Sequence, residues 1–173
     1  MIYVLYLLLL YASSYRYTNA EPNPYFQKNG QVSELLLCRK CGADVADSNY
    51  LISKHSPGAQ KIEKQNLFGK QNITVQTLIN PFGVKFDIVT AEKARCKNIG
   101  PRQGADSWFP GYTWNICTCP HCGQHLGWSF ESSGAKAVDS NESIHLFHGL
   151  ILSNILGENF TDSLIMMPKM YKM

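Results

Sequence analysis

Three features are absent from this sequence of 173 residues, and each absence argues against a class of protein. No apolar run reaches the roughly 20 residues that a membrane-spanning helix needs. No stripe of Lys and Arg accompanies the formal net charge of +3, so we expect no nucleic-acid partner. No repeat of fixed period is visible, and the length fits one domain with its own hydrophobic core.

Catalytic groups in a recognisable arrangement are also missing. No nucleophile stands with a base, and no two carboxylates pair in a pattern that predicts acid–base chemistry. The five histidines are scattered along the chain: His55, His121, His125, His145 and His148. We therefore expect a protein that is not an enzyme.

A short apolar stretch over residues 2–11 does occur, with four consecutive leucines. It has the length of the hydrophobic region of a secretory signal peptide, and Ala20 precedes a plausible cleavage point. No Lys or Arg comes before it, which leaves a membrane anchor or a wrong start site as alternatives. The predicted signal peptide spans residues 1–20, and the predicted location is extracellular.

Three N-glycosylation sequons support secretion: those at Asn72, Asn141 and Asn159. The alternative for each is an ordinary solvated Asn. Three sequons in one short chain with an apolar leader are more informative than one.

The rest of the chain predicts an extended arm over 21–34, a domain over 35–157 and a tail over 158–173. Alternation and β-branched content predict strands, whereas no long segment has helical periodicity. The predicted strands cover 50–53, 73–79, 82–89, 112–117 and 126–131, followed by strand and turn over 145–155. Small and polar residues predict loops over 42–48 and 98–110. The sequence therefore predicts a mostly antiparallel β-domain.

Four of the six cysteines form two Cys-x-x-Cys pairs, each followed by Gly. Two such pairs are typical of a closed, structural zinc site with four thiolate ligands, and here the ligands are Cys38, Cys41, Cys119 and Cys122. Disulfides are an alternative that the secretory pathway permits, and a redox-active Cys-x-x-Cys is another. We expect Zn²⁺ as the structural cofactor, because one ion joining two distant pairs stabilises a small fold.

Cys96 and Cys117 remain outside the two pairs. In a secreted protein such a spare pair indicates a disulfide. Two buried thiols are the alternative, since a free Cys packs as a small hydrophobe.

All three tryptophans, Trp108, Trp114 and Trp128, lie near the second pair of cysteines. Trp114 and Trp128 flank that pair on two strands that we expect to be neighbours. Such residues are commonly part of a core. Trp108 stands in a loop rich in Pro and Gly, and three tryptophans so arranged can instead form the walls of an aromatic cage.

The order of these residues resembles a known family. Ser-Trp-Phe-Pro-Gly-Tyr-x-Trp at 107–114, Cys-x-x-Cys at 119–122 and His-x-Gly-Trp-x-Phe at 125–130 resemble the cereblon-type thalidomide-binding (CULT) domain. Asn-Pro-Phe-Gly at 80–83 and Phe-x-Gly-Leu at 147–150 are similar to further motifs of that family. The resemblance extends over about 36–156.

The resemblance implies a β-tent of two antiparallel sheets held together by zinc. It also implies that the tryptophan cage accepts cyclic imides such as glutarimide or similar compact ligands, including a modified peptide end. Flat apolar walls would hold the ring while a few polar groups orient it. The implied ligand-binding residues are Asn80, Pro81, Phe82, Asp106, Ser107, Trp108, Trp114, Trp128 and Phe130.

Two positions depart from the vertebrate members, in which His stands where this chain has Asp106 and Phe82. An ionised Asp cannot donate a hydrogen bond, so imide affinity or selectivity is expected to differ. No Lon-like domain and no helical segment for docking to a cullin ligase are recognised in this sequence. We therefore expect a free-standing, secreted, monomeric member without the ligase role.

Two other functions remain as alternatives. One is a structural or protein-interaction domain with tightly packed tryptophans. The other is an enzyme of the methionine sulfoxide reductase B type, whose scaffold is related. That chemistry needs a nucleophilic Cys beyond the second pair, and no Cys follows Cys122.

Overall fold

A computed structural model describes residues 33–133 and 145–164, and this part of the chain consists mainly of two sheets. The smaller sheet has the strand order β11–β1–β2, formed by β1 (Leu35–Cys38), β2 (Asp44–Asp47) and β11 (Ile155–Gly157). The larger sheet contains β3 (Leu51–Ile52), β4 (Lys61–Leu67), β5 (Lys70–Ile79), β6 (Lys85–Ala91), β7 (Lys97–Gln103), β8 (Tyr112–Thr118), β9 (His125–Ser132) and β10 (Leu146–Ile151).

Seven strands of the larger sheet follow the order β4–β5–β6–β10–β9–β8–β7, and β3 pairs with β6. Every pairing in the described part is antiparallel. The predicted fold class, two antiparallel sheets, is confirmed.

Helical segments are short in the part of the chain that the structure describes. Two 3₁₀ turns span Ser48–Tyr50 and Leu152–Asn154, and one α-helix, α1, spans Glu158–Leu164 inside the segment predicted to be a tail. Among the described residues, no helix has the length and apolarity required to cross a membrane.

Alternating side chains give the larger sheet two apolar faces. On one face, Val89 and Leu150 are fully buried in a cluster that includes Leu36 and Val45 of the smaller sheet. On the other face, Ile88 and Ile151 belong to a second cluster, rich in aromatic residues. Because adjacent residues of a strand point to opposite faces, the same strands serve both clusters.

Two of the predicted loops contain strands. The predicted loop over 98–110 begins inside β7, an edge strand whose residues are all exposed. A strand without a buried face carries no apolar alternation, so this segment lacks the pattern that predicts a strand. The predicted loop over 42–48 contains β2, which pairs with β1 despite its two Asp residues.

The strand predicted over 82–89 begins later, at Lys85. Its first residues instead belong to a tight turn organised by Asn80, whose Oδ1 accepts the N–H groups of Phe82 (3.0 Å) and Val84 (2.9 Å). Phe82 is consequently 90% exposed rather than half-buried.

Candidate metal centre and tryptophan cage

The two Cys-x-x-Cys segments adopt the same backbone geometry. In the first, the N–H of Gly42 donates to the carbonyl of Cys38 at 2.8 Å, and in the second the N–H of Gly123 donates to Cys119 at 2.9 Å. Both glycines have positive φ, 74° and 72°, a conformation that side chains disfavour. Each segment therefore presents its two sulfur atoms on the inside of a tight turn.

The four sulfur atoms of these turns form one cluster, in which all lie within 4.8 Å of one another. The Sγ atoms of Cys38 and Cys122 are 3.7 Å apart, as are those of Cys41 and Cys119. A tetrahedral zinc ion with Zn–S bonds of about 2.3 Å requires sulfur atoms about 3.8 Å apart. The residues therefore fit zinc, and all four ligand positions are filled by protein sulfur.

The protonation of these thiols depends on their surroundings. Burial raises the pKa of the Cys38 thiol, whereas the backbone N–H of Gln124 lowers the pKa of Cys122 to about 7. Cys122 is therefore the thiol that ionises first. A divalent cation compensates the free-energy cost of ionising the buried Cys38 thiol beside it.

The remaining two cysteines, Cys96 and Cys117, form a disulfide in the structure. Cys117 lies in β8 and is fully buried. Its partner precedes β7, so the bridge ties the edge of the larger sheet to the next strand. The side chain of His148 contacts this bridge, with Nδ1 3.5 Å from the Sγ atom of Cys96.

The second cysteine turn also joins β8 and β9, the two strands that carry Trp114, Trp128 and Phe130. β8 ends at Thr118 and β9 begins at His125. Across this hairpin Trp114 faces Phe130, and Ile116 faces Trp128. Side chains of directly opposed residues lie on the same face of a sheet, so these four side chains share one surface.

Trp108 reaches that surface from the loop before β8. Its indole N–H donates to the carbonyl of Ile79 at 2.8 Å. The backbone carbonyl oxygen of Trp108 accepts a hydrogen bond from the hydroxyl of Ser56. The indole N–H of Trp114 donates to the carbonyl of Ala105, also at 2.8 Å. Both indole rings are thereby held by backbone carbonyl groups, that of Ile79 for Trp108 and that of Ala105 for Trp114.

The three tryptophans line a cavity of about 430 Å³. The rings of Trp108 and Trp128 meet edge to face, with centroids 4.7 Å apart and planes at 79°. Trp114 forms no ring pair with either of them in the described part of the chain, which leaves space between the walls. We call this cavity the cage; it is lined by Asn80, Pro81, Phe82, Phe86, Asp106, Trp108, Trp114, Ile116, His125, Trp128 and Phe130.

The structure brings together eight of the nine residues that the resemblance implied for ligand binding. The exception is Ser107, whose Oγ donates to the carbonyl of Phe109 at 3.0 Å and which does not line the cavity. Sequence reasoning missed Phe86, Ile116 and His125. For Ile116 and His125, the signal was available in their positions on the two strands next to Trp114 and Trp128.

Few polar groups of the cage are free to meet a ligand. The indole N–H of Trp128 has no hydrogen-bond partner among the described residues, and no fully buried side-chain polar atom there lacks one. The N–H is therefore accessible to solvent. His125 has Nε2 3.0 Å from the carbonyl oxygen of Gly127. Since a carbonyl only accepts, Nε2 carries the proton and Nδ1 is left as an acceptor.

A shallower hollow of about 320 Å³ adjoins the cage. The two spaces share three lining residues, Asp106, Trp114 and Ile116. The hollow extends towards the edge of the sheet, where Ile99 of β7 faces Ile116 and is 49% exposed. A ligand larger than the cage therefore has an adjoining apolar surface.

Residues 35–163 match the family described as "Yippee zinc-binding/DNA-binding /Mis18, centromere assembly". The match covers both cysteine turns and the whole aromatic surface. Together with the sulfur geometry, it confirms the zinc prediction.

Curated relatives include several cereblons. The chain is 29% identical to protein cereblon of Xenopus tropicalis over 126 residues, which are 71% of this chain and 27% of that protein. It is 29% identical to the Drosophila grimshawi cereblon and 28% identical to that of Drosophila melanogaster, each over 123 residues. These segments are 16% and 18% of the two insect proteins, so the chain spans about a quarter or less of its curated relatives.

Proposed function

Because this chain belongs to the Yippee–Mis18 family and its domain is of the cereblon CULT type, we propose that it binds a compact cyclic ligand in the tryptophan cage. The cage carries the proposal: a cavity of about 430 Å³ with aromatic walls on three strands and two loops. Ligand sites are commonly apolar cavities with a few well-placed polar groups, and this cavity has that composition.

The free polar groups favour a ligand with a carbonyl next to an N–H. The indole N–H of Trp128 can donate to a carbonyl, and Nδ1 of His125 can accept from an N–H. The backbone N–H of Trp108 also has no partner among the described residues. A cyclic imide such as glutarimide offers both kinds of group on a flat ring of suitable size, which supports it as the ligand class.

A binding role is favoured over catalysis by the use of the cysteines. Four of the six lie in the sulfur cluster and two form the disulfide. None is left as the nucleophile that sulfoxide reduction requires. The cavity between the tryptophans likewise favours ligand binding over a purely structural domain.

A titration with glutarimide tests the proposal. Binding is expected to change the tryptophan fluorescence and to raise the melting temperature as the ligand concentration increases. Trp114→Ala should abolish both effects while the zinc content is retained, because Trp114 is a partly exposed wall rather than a zinc ligand. Ile62→Ala is the matched control, since Ile62 is 44% exposed and lines neither space. An unaltered melting temperature at saturating glutarimide would count against the proposal.

We further propose that the protein is secreted and glycosylated. Asn72 and Asn159 are both exposed, and the Cys96–Cys117 disulfide supports an oxidising compartment. The predicted signal peptide and Asn141 lie outside the described residues. Expression of the full chain in a eukaryotic host should give protein in the medium that loses mass on deglycosylation, and retention inside the cell would contradict this.

The rest of the expected biology is also a proposal. We propose that this domain acts as a monomer and does not itself dock to a cullin ligase. The family description names DNA binding, but a net charge of +3 gives weak support for a phosphate partner.

A further inference from the structure

The walls of the cage offer ring faces more than hydrogen-bond donors. The indole N–H groups of Trp108 and Trp114 both donate to backbone carbonyls at 2.8 Å, so neither is available to a ligand. What these two rings offer is dispersion contact and the negative electrostatic potential of their π-faces.

The rings also meet at steep angles. Trp128 lies at 79° to Trp108 and at 78° to Phe86, with centroid separations of 4.7 Å and 5.0 Å. Trp114 stands apart from this corner on the neighbouring strand. Walls that meet at such angles surround a rounded group from several sides, which is the arrangement that recognises alkylated ammonium groups.

The charge of the lining has one sign. Asp106 is the only Asp, Glu, Lys or Arg among the eleven lining residues, and it lines the adjoining hollow as well. It forms no salt bridge with another described residue. His125 adds no positive charge at neutral pH, because burial lowers its pKa below the ordinary value for histidine.

We propose that the cage binds a small organic cation, an alkylated ammonium group, with Asp106 as the counter-charge. The inference rests on the proposed function in one respect, that the cage is a ligand site. It goes beyond it by naming a charged ligand class in place of a neutral ring. Cation–π attraction and the carboxylate both favour the cation, and no Lys or Arg in the lining opposes it.

A pair of ligands with the same shape isolates the charge. Choline and 3,3-dimethylbutan-1-ol have nearly the same shape, but only choline carries a positive charge. Calorimetric titration of the zinc-loaded chain should give choline at least about tenfold tighter binding than the alcohol, the size expected for a partly desolvated cation on aromatic faces. Equal affinity for the two, or no binding of choline, would overturn the proposal.

The variant Asp106→Asn tests the counter-charge. Asp106 has a φ of 54°, a conformation that Asn also tolerates, so the turn should be retained. Because Asp106 is exposed, choline affinity should fall by only about two- to fivefold and the alcohol should be unaffected. Asp162→Asn removes the same charge from an exposed site outside the cage and should change nothing. Unchanged choline affinity in Asp106→Asn would overturn the role of this residue.

Glutarimide, titrated in the same series, separates the two proposals. Binding of glutarimide without a preference for choline over the alcohol would overturn the cation proposal and leave the imide proposal intact. Binding of choline but not glutarimide would overturn the imide proposal and leave the cation proposal intact. Loss of every ligand in Trp114→Ala is expected if both classes occupy one cage.

Discussion

The Sγ atoms of Cys38 and Cys122 lie 3.7 Å apart although 84 residues separate them in the chain. One belongs to the end of β1 in the smaller sheet, and the other to the turn between β8 and β9 in the larger sheet. The zinc site therefore joins the two sheets at the base of the hairpin that carries Trp114 and Trp128. Stability and cage geometry are coupled through this point.

Removal of zinc should destabilise the domain. Chelation, or Cys119→Ser, is expected to lower the melting temperature by about 10 °C or more, because four closely spaced thiols lose the ion that compensates their ionisation. Circular dichroism with metal analysis of the same samples measures this. Zinc added back should restore the wild-type transition and magnesium should not, whereas an unchanged transition in zinc-free protein would contradict the prediction.

Loss of the disulfide should have a smaller and separable effect. Cys96 and Cys117 are 21 residues apart, a separation for which closing the loop stabilises a domain by about 3 kcal/mol. Denaturant unfolding of the double variant Cys96→Ala, Cys117→Ala should show a loss of this size with normal zinc content. A loss of zinc in that variant would show that the two cysteine sets are not independent.

Gly127→Ala should be strongly destabilising. Gly127 has a φ of 145°, and a Cβ there would lie 1.9 Å from the carbonyl oxygen of Gly149 on the neighbouring strand. Relief of that overlap requires β9 and β10 to move apart behind Trp128, at a cost of about 3 kcal/mol or more. The matched control is Gly104→Ala, where nothing lies within 4 Å and the change should stay within about 1 kcal/mol. Equal unfolding free energies for the two variants would contradict the structure.

Stability should fall in mildly acidic solution because of His148. Burial lowers its pKa to about 4, and its Nδ1 lies 3.1 Å from the Oγ atom of Ser129. The unfolded chain, with a pKa near 6.5 for this residue, binds the proton more readily than the folded chain. The contribution of neutral His148 to the free energy of unfolding is therefore complete above about pH 6.5. Up to about 3 kcal/mol of that free energy is lost as the pH falls towards 4.

Urea unfolding across that pH range measures this dependence. His148→Gln should flatten it, while His55→Gln, at an exposed position, should leave it unchanged. If the unfolding free energy of His148→Gln varied with pH as much as that of the wild type, groups other than His148 would be responsible.

Short sequence patterns were sufficient for the zinc site and the class of fold. A Cys-x-x-Cys segment followed by Gly places two thiolates on one turn through local backbone geometry, so the spacing alone was enough to recognise Cys38, Cys41, Cys119 and Cys122 as ligands. β-branched and apolar content identified β5, and alternation identified the segment that contains β6. Alternation failed for β7, because an exposed edge strand buries no face and its pairing depends only on its neighbour.

Which residues share the cage, and what charge surrounds it, depends on how the strands assemble. His125 and Ile116 line it because β8 and β9 pair in one register, and Phe86 because β6 brings it against Trp128 from another part of the larger sheet. Contacts between strands depend on register and sheet order, which the spacing of residues along a single chain does not encode. The metal ligands follow from local spacing in the chain, whereas Phe86 comes to lie against Trp128 only because β10 pairs with both β6 and β9, which are distant from each other in sequence.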